Sequence, residues 1–564
     1  MGNKAFSART RIADLHDAAA EPVDVLVVGM GATGAGVALD AASRGLRVAV
    51  VDKGDLASGT SSKSSKLVHG GLRYLENYEF GLVREGVTER QLLMRLAPHL
   101  VRPMDFLYPV WPDTARRRLL GLGLSTYDVF ALASLGGRVA DTRRHERISA
   151  EEAIRRAPAL ADSELAYAYR YGDSATDDAR LVLAIVQAAR RFGALTIPYA
   201  EATGLIRGPD GRLNGALLTD TLEGATVAVH ARHVVNATGV WVDRLQSLEE
   251  PGRAAVVSPS KGVHVVVPTE RLPLLSASVL LPSKQGDGRS MFAIPWGRQT
   301  ILGTTDTPYE GSLEELALTA TDLEYVLAAG NAVFRSALSP ADVLGAWVGV
   351  RPLLRGTAAS SMSDLSRRHS LVEGPGGLLT ITGGKLTTYR RMAKDVVDRI
   401  VAKDGRRARC RTDQIALSGT RPLERVLQET GDASAGLGLP ADVAPSLVQQ
   451  AGEGASDILS LVVADHELGV RLSPAAAHIA AEVVHAARRE CALTLDDVYS
   501  RRLRLSVRAR DAALGSAPLA AALLAAEMGR DAAWARAQVS DYAAAVRRER
   551  GVLGLTEGGY AATG

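Results

Sequence analysis

A glycine-rich turn near the N-terminus constrains the fold of this chain more than any other feature. Gly29, Gly31 and Gly34 fit the spacing G-x-G-x-x-G, and the apolar run 23–28 comes directly before them. Residues 37–43 are small enough for a closely packed helix, and a second apolar run, 46–51, follows. Strand, turn, helix and strand in this order predict a βαβ unit that binds a dinucleotide.

Each part of this unit has a physical role at a pyrophosphate. Gly29 allows the tight turn, Gly31 lets the backbone approach the phosphates, and Gly34 lets helix and strand pack closely. The N-terminus of the helix offers unpaired N–H groups and a partial positive charge. Asp52 ends the second strand, where its carboxylate can accept hydrogen bonds from a ribose. A glycine turn without a ligand is the alternative, and the complete pattern favours the nucleotide site.

Two later segments indicate which dinucleotide to expect. Residues 236–239 follow one strand-like apolar run, and residues 381–385 follow another. Small-residue turns of this kind let the backbone approach a flat ring, or present helix N–H groups to its carbonyl oxygens. Three such sites, far apart in the chain, suit a long cofactor held extended across one domain. FAD therefore fits better than NAD.

The composition limits the classes of function. The chain has 564 residues, with 66 Lys and Arg against 63 Asp and Glu, and this net charge of +3 does not indicate a nucleic-acid binder. Two cysteines exclude a disulfide framework and a multi-cysteine metal site, so we expect no metal and a reducing, cytoplasmic setting. We find no secretory signal pattern and no spanning apolar run, so any membrane contact is expected to be peripheral.

Three stretches have a specific pattern: residues 28–45, residues 60–75 (TSSKSSKLVHGGLRYL) and residues 383–393 (GGKLTTYRRMA). Through them the chain resembles the FAD-dependent glycerol-3-phosphate dehydrogenases. Shorter matches lie at residues 177–181, 261–264, 303–306 and 349–352. Two positions depart from the family, which usually has glycine in place of Met30 and glutamate in place of Asp52. We expect FAD binding to survive both.

The resemblance implies an α/β fold with three parts. These are a Rossmann-like FAD-binding domain, an antiparallel-sheet substrate domain and a C-terminal helical domain, the last also indicated by the Ala- and Leu-rich composition of 420–550. A hairpin is predicted where Gly297 and Arg298 join two apolar runs. The predicted boundaries are 1–20 for a flexible N-terminal tail, 21–100 with 165–258 and 375–405 for the FAD-binding domain, 101–164 with 259–374 for the substrate domain, and 406–564 for the helical domain.

The glycine motif and the resemblance together imply a set of FAD contacts. They are Gly29, Gly31, Ala32, Thr33, Gly34, Asp52, Lys53, Thr60, Ser61, Ser65, Lys66, Leu67, Ala202, Ala237, Trp241, Gly383, Gly384, Lys385, Leu386 and Thr387.

The reaction that the resemblance implies is oxidation of glycerol 3-phosphate at C2, with the hydride passing to FAD and dihydroxyacetone phosphate released. A base must take the hydroxyl proton, and cations must hold the phosphate and the developing oxyanion. His69 is the expected base, since an unperturbed histidine pKa of about 6.5 suits proton transfer at neutral pH. His264 is the alternative. The expected substrate ligands are Arg73, Arg351, Tyr74, Lys385 and Arg367, with the arginines able to bind bidentately.

The expected electron acceptor is a membrane quinone, which places the protein peripherally on the inner face of the cell membrane. An oxygen-using oxidase of the same fold, a related FAD-dependent hydroxy-acid or amine oxidoreductase, and a non-catalytic flavin protein are the alternatives, and a homodimer stays open. Residues 116–135 combine three arginines with leucines and aromatics, a composition typical of an interfacial helix and also of an ordinary packed one. A rival basic patch, Arg501, Arg504 and Arg508, is interpreted as a solvated helix face.

Overall fold

The computed structural model describes residues 5–72, 79–112, 117–134, 141, 143–161, 164–282, 290–355, 369–417 and 419–555. The helices are α1 Ala8–Ala20, α2 Ala32–Ser43, α3 Phe80–Leu96, α4 Arg117–Ala133, α5 Ala150–Arg156, α6 Asp178–Arg191, α7 Val242–Glu249, α8 Ala320–Asn331, α9 Tyr389–Lys403, α10 Leu423–Gly436, α11 Val443–Ala451, α12 Ala455–Ala464, α13 Ala480–Arg489, α14 Leu505–Arg508, α15 Ala517–Met528 and α16 Ala532–Val552.

The strands form two large sheets. They are β1 Val23–Val28, β2 Val48–Val51, β3 Leu67–Val68, β4 Arg102–Val110, β5 Glu146–Ser149, β6 Tyr167–Ala175, β7 Leu195–Ile197, β8 Ala200–Arg207, β9 Leu213–Asp220, β10 Thr226–Asn236, β11 Val257–Pro268, β12 Ala277–Pro282, β13 Ser290–Trp296, β14 Gln299–Gly303, β15 Thr307–Pro308, β16 Gly345–Leu354, β17 His369–Glu373 and β18 Leu379–Gly383.

The first sheet contains the predicted βαβ unit. Its strand order is β17-β18-β10-β1-β2-β7, and β1 runs parallel to both β2 and β10. Helix α2 connects β1 to β2 and packs against α6 and α9, so apolar side chains of strands and helices share one core. Because these strands are covered by helices, they read in the sequence as continuous runs of valine and leucine.

The second sheet has the order β15-β11-β14-β13-β12-β4-β6-β3, with β16 also paired to β11 and β5 to β6. Its pairs are antiparallel except that β12 runs parallel to β4, so the predicted antiparallel sheet is mixed at this one pair. The predicted hairpin is present, because β13 and β14 pair from Trp296 and Gln299 onward across Gly297 and Arg298.

Three strands lie in a different sheet from the one that the predicted boundaries give them. Strands β3 and β6, inside segments predicted for the FAD-binding domain, pair in the second sheet, and β17, predicted for the substrate domain, pairs in the first. An apolar pattern marks a strand but does not say which sheet it joins, because that depends on partners far away in the chain. The rest of the predicted division stays a prediction.

The prediction of a flexible N-terminal tail is wrong for residues 8–20, which form α1. Arg11 is buried and pairs with Asp220 at 2.9 Å. Asp14 is also buried and pairs with Arg190 on α6. The helix is therefore fixed by ion pairs with distant segments, which its mixed charges alone do not reveal.

The C-terminal segment is helical, as predicted, from α10 through α16. The interpretation of Arg501, Arg504 and Arg508 as a solvated face is wrong. Arg501 is bonded to Asp55 at 2.6 Å and Arg502 to the same carboxylate at 2.7 and 2.9 Å, all of them buried. Burial works to raise the pKa of Asp55, but Arg502 and Arg501 together hold it below its usual value.

The remaining two arginines of that patch are also engaged. Arg504 pairs with Asp177 at 2.8 Å and with Asp178. Arg508 donates to the main-chain oxygen of Trp296 and to Gln299. These contacts join the C-terminal segment to α6 and to the second sheet. The arginines that were interpreted as a solvated helix face therefore lie between the C-terminal segment and the rest of the protein.

Helix α4 has one buried and one exposed face. Leu124, Tyr127 and Ala131 pack inward, so this face of the helix follows the alternative of an ordinary packed helix. Leu122 and Val129 are 67% and 61% exposed on the opposite face. Positions 116 and 135 of the predicted segment lie outside the described residues. Among the helices that the structure describes, none has the length and hydropathy to cross a bilayer.

Candidate functional site

A cleft of about 340 Å³ lies at the carboxyl ends of the first sheet's parallel strands and is also lined by residues of the second sheet. In open α/β folds, ligands bind in this position. The predicted site residues that line the cleft are Gly29, Gly31, Ala32, Thr33, Asp52, Lys53, Thr60, Ser61, Ser65, Leu67, His69, Ala202, Ala237, Trp241, His264, Arg351, Gly383, Gly384, Lys385, Leu386 and Thr387.

The glycine turn has the close packing that the motif predicts. Gly29 has a φ of +105°, a conformation that side chains disfavour. A Cβ on Gly34 would lie 1.8 Å from the main-chain oxygen of Gly29, so only glycine fits there. Gly34 thus packs behind the turn rather than lining the cleft, while Gly31 forms the N-cap of α2.

Asp52 supports the glycine turn as well as lining the cleft. Its Oδ2 accepts from the Met30 N–H at 2.7 Å and its Oδ1 from the Gly54 N–H at 3.1 Å. Burial raises the pKa of Asp52 to about 6, although both hydrogen bonds act to lower it. The Met30 side chain is buried in the core and is not among the cleft residues, so this departure from the family leaves the cleft open.

The loop that follows β2 closes over the N-terminus of α2. Ser61 Oγ accepts from the Ala32 N–H at 3.0 Å, and Thr60 Oγ1 donates to the main-chain oxygen of Val350 at 2.6 Å. Because Val350 lies on β16 of the second sheet, this loop ties the two sheets together beside the cleft.

Lys53 and Lys66, two of the three predicted lysine contacts, have different positions. Lys66 lies behind the loop, where Nζ pairs with Asp178 at 2.8 Å, and it does not line the cleft. Burial, and then Arg504, lower the pKa of Lys66. The expectation that Lys66 contacts FAD is therefore not supported by its position. Lys53 lines the cleft and pairs with Glu314 at 3.1 Å, a residue that no sequence signal marked.

His264 lies on β11 in the wall of the cleft. Its Nε2 is 2.8 Å from Ser65 Oγ, and its ring stacks on Trp347 with centroids 4.8 Å apart. Burial, followed by the charges of Arg351 and Lys66, lowers the pKa of His264 well below the usual histidine value. The ring is therefore neutral at pH 7 and has a lone pair available for a proton.

His69 lines the same cleft, and its main chain is held from two sides. Thr387 Oγ1 accepts from the His69 N–H at 3.2 Å and donates to the His69 main-chain oxygen at 3.3 Å. On the other side, the Gly70 N–H donates to the Tyr127 hydroxyl at 2.9 Å. The structure thus joins His69 of the second motif to Thr387 of the third.

Arg351 presents its guanidinium at the cleft from β16. Nη1 donates to the main-chain oxygen of Thr305 at 3.1 Å and pairs with Asp306 at 3.3 Å, while Nη2 donates to Thr304 Oγ1 at 3.1 Å. The side chain stays 25% exposed. All three partners lie in the match at 303–306, whereas Trp347, which stacks on His264, had no signal in the sequence. Arg73, Tyr74 and Arg367 lie outside the described residues and stay predictions.

Comparisons with known proteins agree with this architecture. The family described as FAD dependent oxidoreductase matches residues 24–390, and the C-terminal domain of alpha-glycerophosphate oxidase matches residues 410–535. Glycerol-3-phosphate dehydrogenase 2 of Mycobacterium tuberculosis (strain ATCC 25618 / H37Rv) is 39% identical over 94% of this chain and 89% of its own length. The mitochondrial glycerol-3-phosphate dehydrogenase of Homo sapiens is 34% identical over 91% of this chain and 71% of its own length.

A solved structure extends the similarity to the fold of the whole chain. The glycerol-3-phosphate dehydrogenase from Bacillus halodurans, complexed with FAD, superposes with a TM-score of 0.79 at 28% sequence identity. The superposition covers 97% of this chain and 98% of that one, so the helical C-terminal segment is included.

Proposed function

Since this chain belongs to the FAD-dependent glycerol-3-phosphate dehydrogenases, we propose that it oxidises glycerol 3-phosphate at C2 and passes the electrons on to a membrane quinone. One observation carries the proposal. His69, His264 and Arg351 come from three separate sequence matches, and the fold brings them to a single cleft beside the glycine turn. A nucleotide site with a proton acceptor and an anion ligand is what this oxidation needs.

The cleft residues fit FAD. The N-terminus of α2 and the glycine turn provide main-chain N–H groups for a pyrophosphate. The cleft extends from there to Gly383 and Gly384, which have φ of +75° and +70°. Because these glycines have no side chain, the flavin ring can approach their backbone closely. Asp52 keeps acceptor capacity for a ribose, because each of its oxygens accepts one main-chain hydrogen bond and can accept a second. FAD, when bound, supplies the acceptor for the substrate hydride.

The protein's own groups have two tasks. His69 takes the proton of the C2 hydroxyl. His264 on β11, which burial keeps neutral, is the alternative proton acceptor. Arg351 binds the phosphate or the developing oxyanion, where a charge-assisted bond strengthens in partial exclusion from water. Lys385, at the N-terminal side of α9, lines the same cleft and adds positive charge there.

The test is anaerobic reduction of the enzyme's flavin. Glycerol 3-phosphate should bleach its absorbance rapidly, whereas glycerol, which lacks the phosphate, should do so far more slowly at the same concentration. Glycine and lactate serve as the probes for the amine and hydroxy-acid alternatives. Faster bleaching by either of these than by glycerol 3-phosphate would contradict the proposal. In air, rapid peroxide release at the rate of substrate turnover, without any added quinone, would instead favour the oxidase.

The quinone acceptor requires access to a bilayer, and the exposed face of α4 supports a peripheral contact. Leu122 and Val129 lie on this face, close to a basic sequence, as in helices that lie in the membrane interface. Wild-type protein should float with anionic vesicles, and the double variant Leu122→Ser with Val129→Ser should float less. Val463→Ser, at a residue 64% exposed on α12, is the matched control. Equal flotation of all three proteins would locate the contact elsewhere.

A further inference from the structure

A buried chain of polar groups leads from the protein interior to the peptide that follows His69. Arg90 on α3 donates to Asp173 Oδ1 at 3.0 Å, and the Tyr127 hydroxyl donates to Asp173 Oδ2 at 2.9 Å. The same hydroxyl accepts the Gly70 N–H at 2.9 Å. All of these side chains are buried, and the three that carry the chain belong to α3, β6 and α4.

The protonation states fix the direction of these bonds. Burial, and then the neighbouring Asp173, raise the pKa of Tyr127 well above its usual value, so the hydroxyl keeps its proton. Burial works to lower the pKa of Arg90, but Tyr127 and Asp173 hold it above its usual value, so the guanidinium stays charged. The single hydroxyl proton of Tyr127 goes to Asp173, and its lone pair is left to accept from Gly70.

The Gly70 peptide also has no space to move. A Cβ on Gly70 would lie 2.4 Å from a methyl of Val87 and 2.5 Å from the Tyr127 hydroxyl. A Cβ on Gly86 would lie 2.9 Å from the main-chain oxygen of Gly70. The peptide therefore occupies a slot between α3 and α4, where its N–H donates to the Tyr127 hydroxyl and also faces the Asp173 carboxylate.

We infer that Tyr127, held by Asp173 and Arg90, is a positioning residue that sets the orientation of His69 for proton transfer. The inference rests on the proposed role of His69 and extends it to a residue that does not line the cleft. His69 is anchored on one side by Thr387 and, through the Gly70 peptide, on the other by Tyr127, so loss of the Tyr127 hydroxyl releases one side of its backbone. A displacement of about 1 Å at a reacting group can cost about 100-fold in rate.

The test uses the isosteric variant Tyr127→Phe in the full-length flavoprotein. We expect the limiting rate of flavin reduction to fall by about 10- to 100-fold. The substrate concentration for half-saturation, the bound flavin and the melting temperature should change little. Tyr171→Phe is the matched control, because Tyr171 is equally buried, its ring centroid is 6.4 Å from that of Tyr127, and the Gly70 N–H does not donate to it.

A double variant separates positioning from a merely structural effect. If Tyr127 acts through His69, Tyr127→Phe should slow reduction in the parent but add almost nothing in a His69→Asn background. An equal loss in both backgrounds, or no loss in the parent, would overturn the inference.

Hydrogen exchange distinguishes a failure of the inference from a failure of the proposed base. The amide of Gly70 should exchange faster in Tyr127→Phe than in the parent or in Tyr171→Phe, because its acceptor is gone. Faster exchange together with normal reduction by His69→Asn would refute His69 as the base while leaving the anchor itself in place. Unchanged exchange would refute the anchor, whatever His69 does.

Discussion

Arg504 and Asp178 form a buried ion pair between the C-terminal helical segment and the first turn of α6, 326 residues apart in the chain. Asp178 also accepts from the Ser64 N–H at 3.0 Å and from Ser64 Oγ at 2.7 Å. The next residue, Ser65, is the one that contacts His264. The C-terminal segment thus supports the cleft loop from behind, which gives this segment a structural role at the site.

Loss of Arg504 should therefore destabilise the protein and loosen the loop. In Arg504→Gln, Asp177 and Asp178 lose a buried counter-ion, and such losses typically cost about 3–5 kcal/mol. We expect a lower melting temperature and weaker flavin retention on dilution. Arg530→Gln is the control, since its ion pair with Glu223 is exposed and 3.8 Å long. Similar melting temperatures for both variants would contradict the role assigned to Arg504.

Arg351→Ala should abolish use of the substrate while flavin stays bound. The guanidinium faces the cleft from β16 of the second sheet, and loss of one such donor typically lowers the rate by about 100- to 1,000-fold. Stopped-flow reduction measures the rate, and the absorbance ratio of flavin to protein measures occupancy. Arg298→Ala, at the exposed tip of the β13–β14 hairpin, is the control. Flavin loss in Arg351→Ala would indicate a structural role instead.

The two histidines should differ in their effect on proton transfer. His69→Asn should slow flavin reduction by about 100- to 10,000-fold, the usual range for a lost general base. His264→Asn, which keeps a polar group near Ser65, should slow it less. Because the pKa of His264 is lowered, any loss of rate between pH 8 and pH 6 in the parent should not come from this ring. The reverse order of the two variants would make His264 the base.

His99 should make the protein less stable in mild acid. Burial, and then Arg180 and Arg102, lower the pKa of His99 to about 3, so the folded state stays neutral where the unfolded chain is protonated. The resulting loss in the free energy of unfolding is absent above the pKa of the unfolded histidine, about 6.5. It grows as the pH falls towards the pKa of the folded state and reaches about 2 kcal/mol at pH 5.

The variant His99→Leu removes this titration. Its melting temperature relative to the parent should rise as the pH is lowered from 7 to 5, whatever its offset at pH 7. Comparison at each pH cancels the titration of the other groups. A constant difference between the two proteins over this range would show that His99 does not titrate as expected.

The sequence was most informative where chemistry requires short, local patterns. The spacing from Gly29 to Gly34 predicted the βαβ unit, and the matches around His69, His264 and Arg351 predicted residues that the fold brings to one cleft. Each of these signals is readable within a few neighbouring residues, because a turn, a helix N-terminus or a catalytic loop is built locally.

The predictions failed where a side chain depends on a distant partner. Arg11 was predicted to lie in a flexible tail and Arg504 on a solvated helix face. Each is instead buried, because a carboxylate from another part of the chain pairs with it. Tyr127 looks like an interfacial aromatic, and its position is set by Asp173 and Gly70. Periodicity says which residues share a helix face, and it does not say what covers that face.

The ion pairs across the chain also order events during synthesis. Asp55 leaves the ribosome long before Arg502, which lies 447 residues later and supplies two of its hydrogen bonds. Until then the Asp55 carboxylate lacks these two hydrogen bonds, and the loop after β2 is without this support from the C-terminal segment. Domains at the N-terminus of a growing chain generally fold first. In this protein the loop after β2 is completed by a much later segment, so it gains this support only after Arg502 has been synthesised.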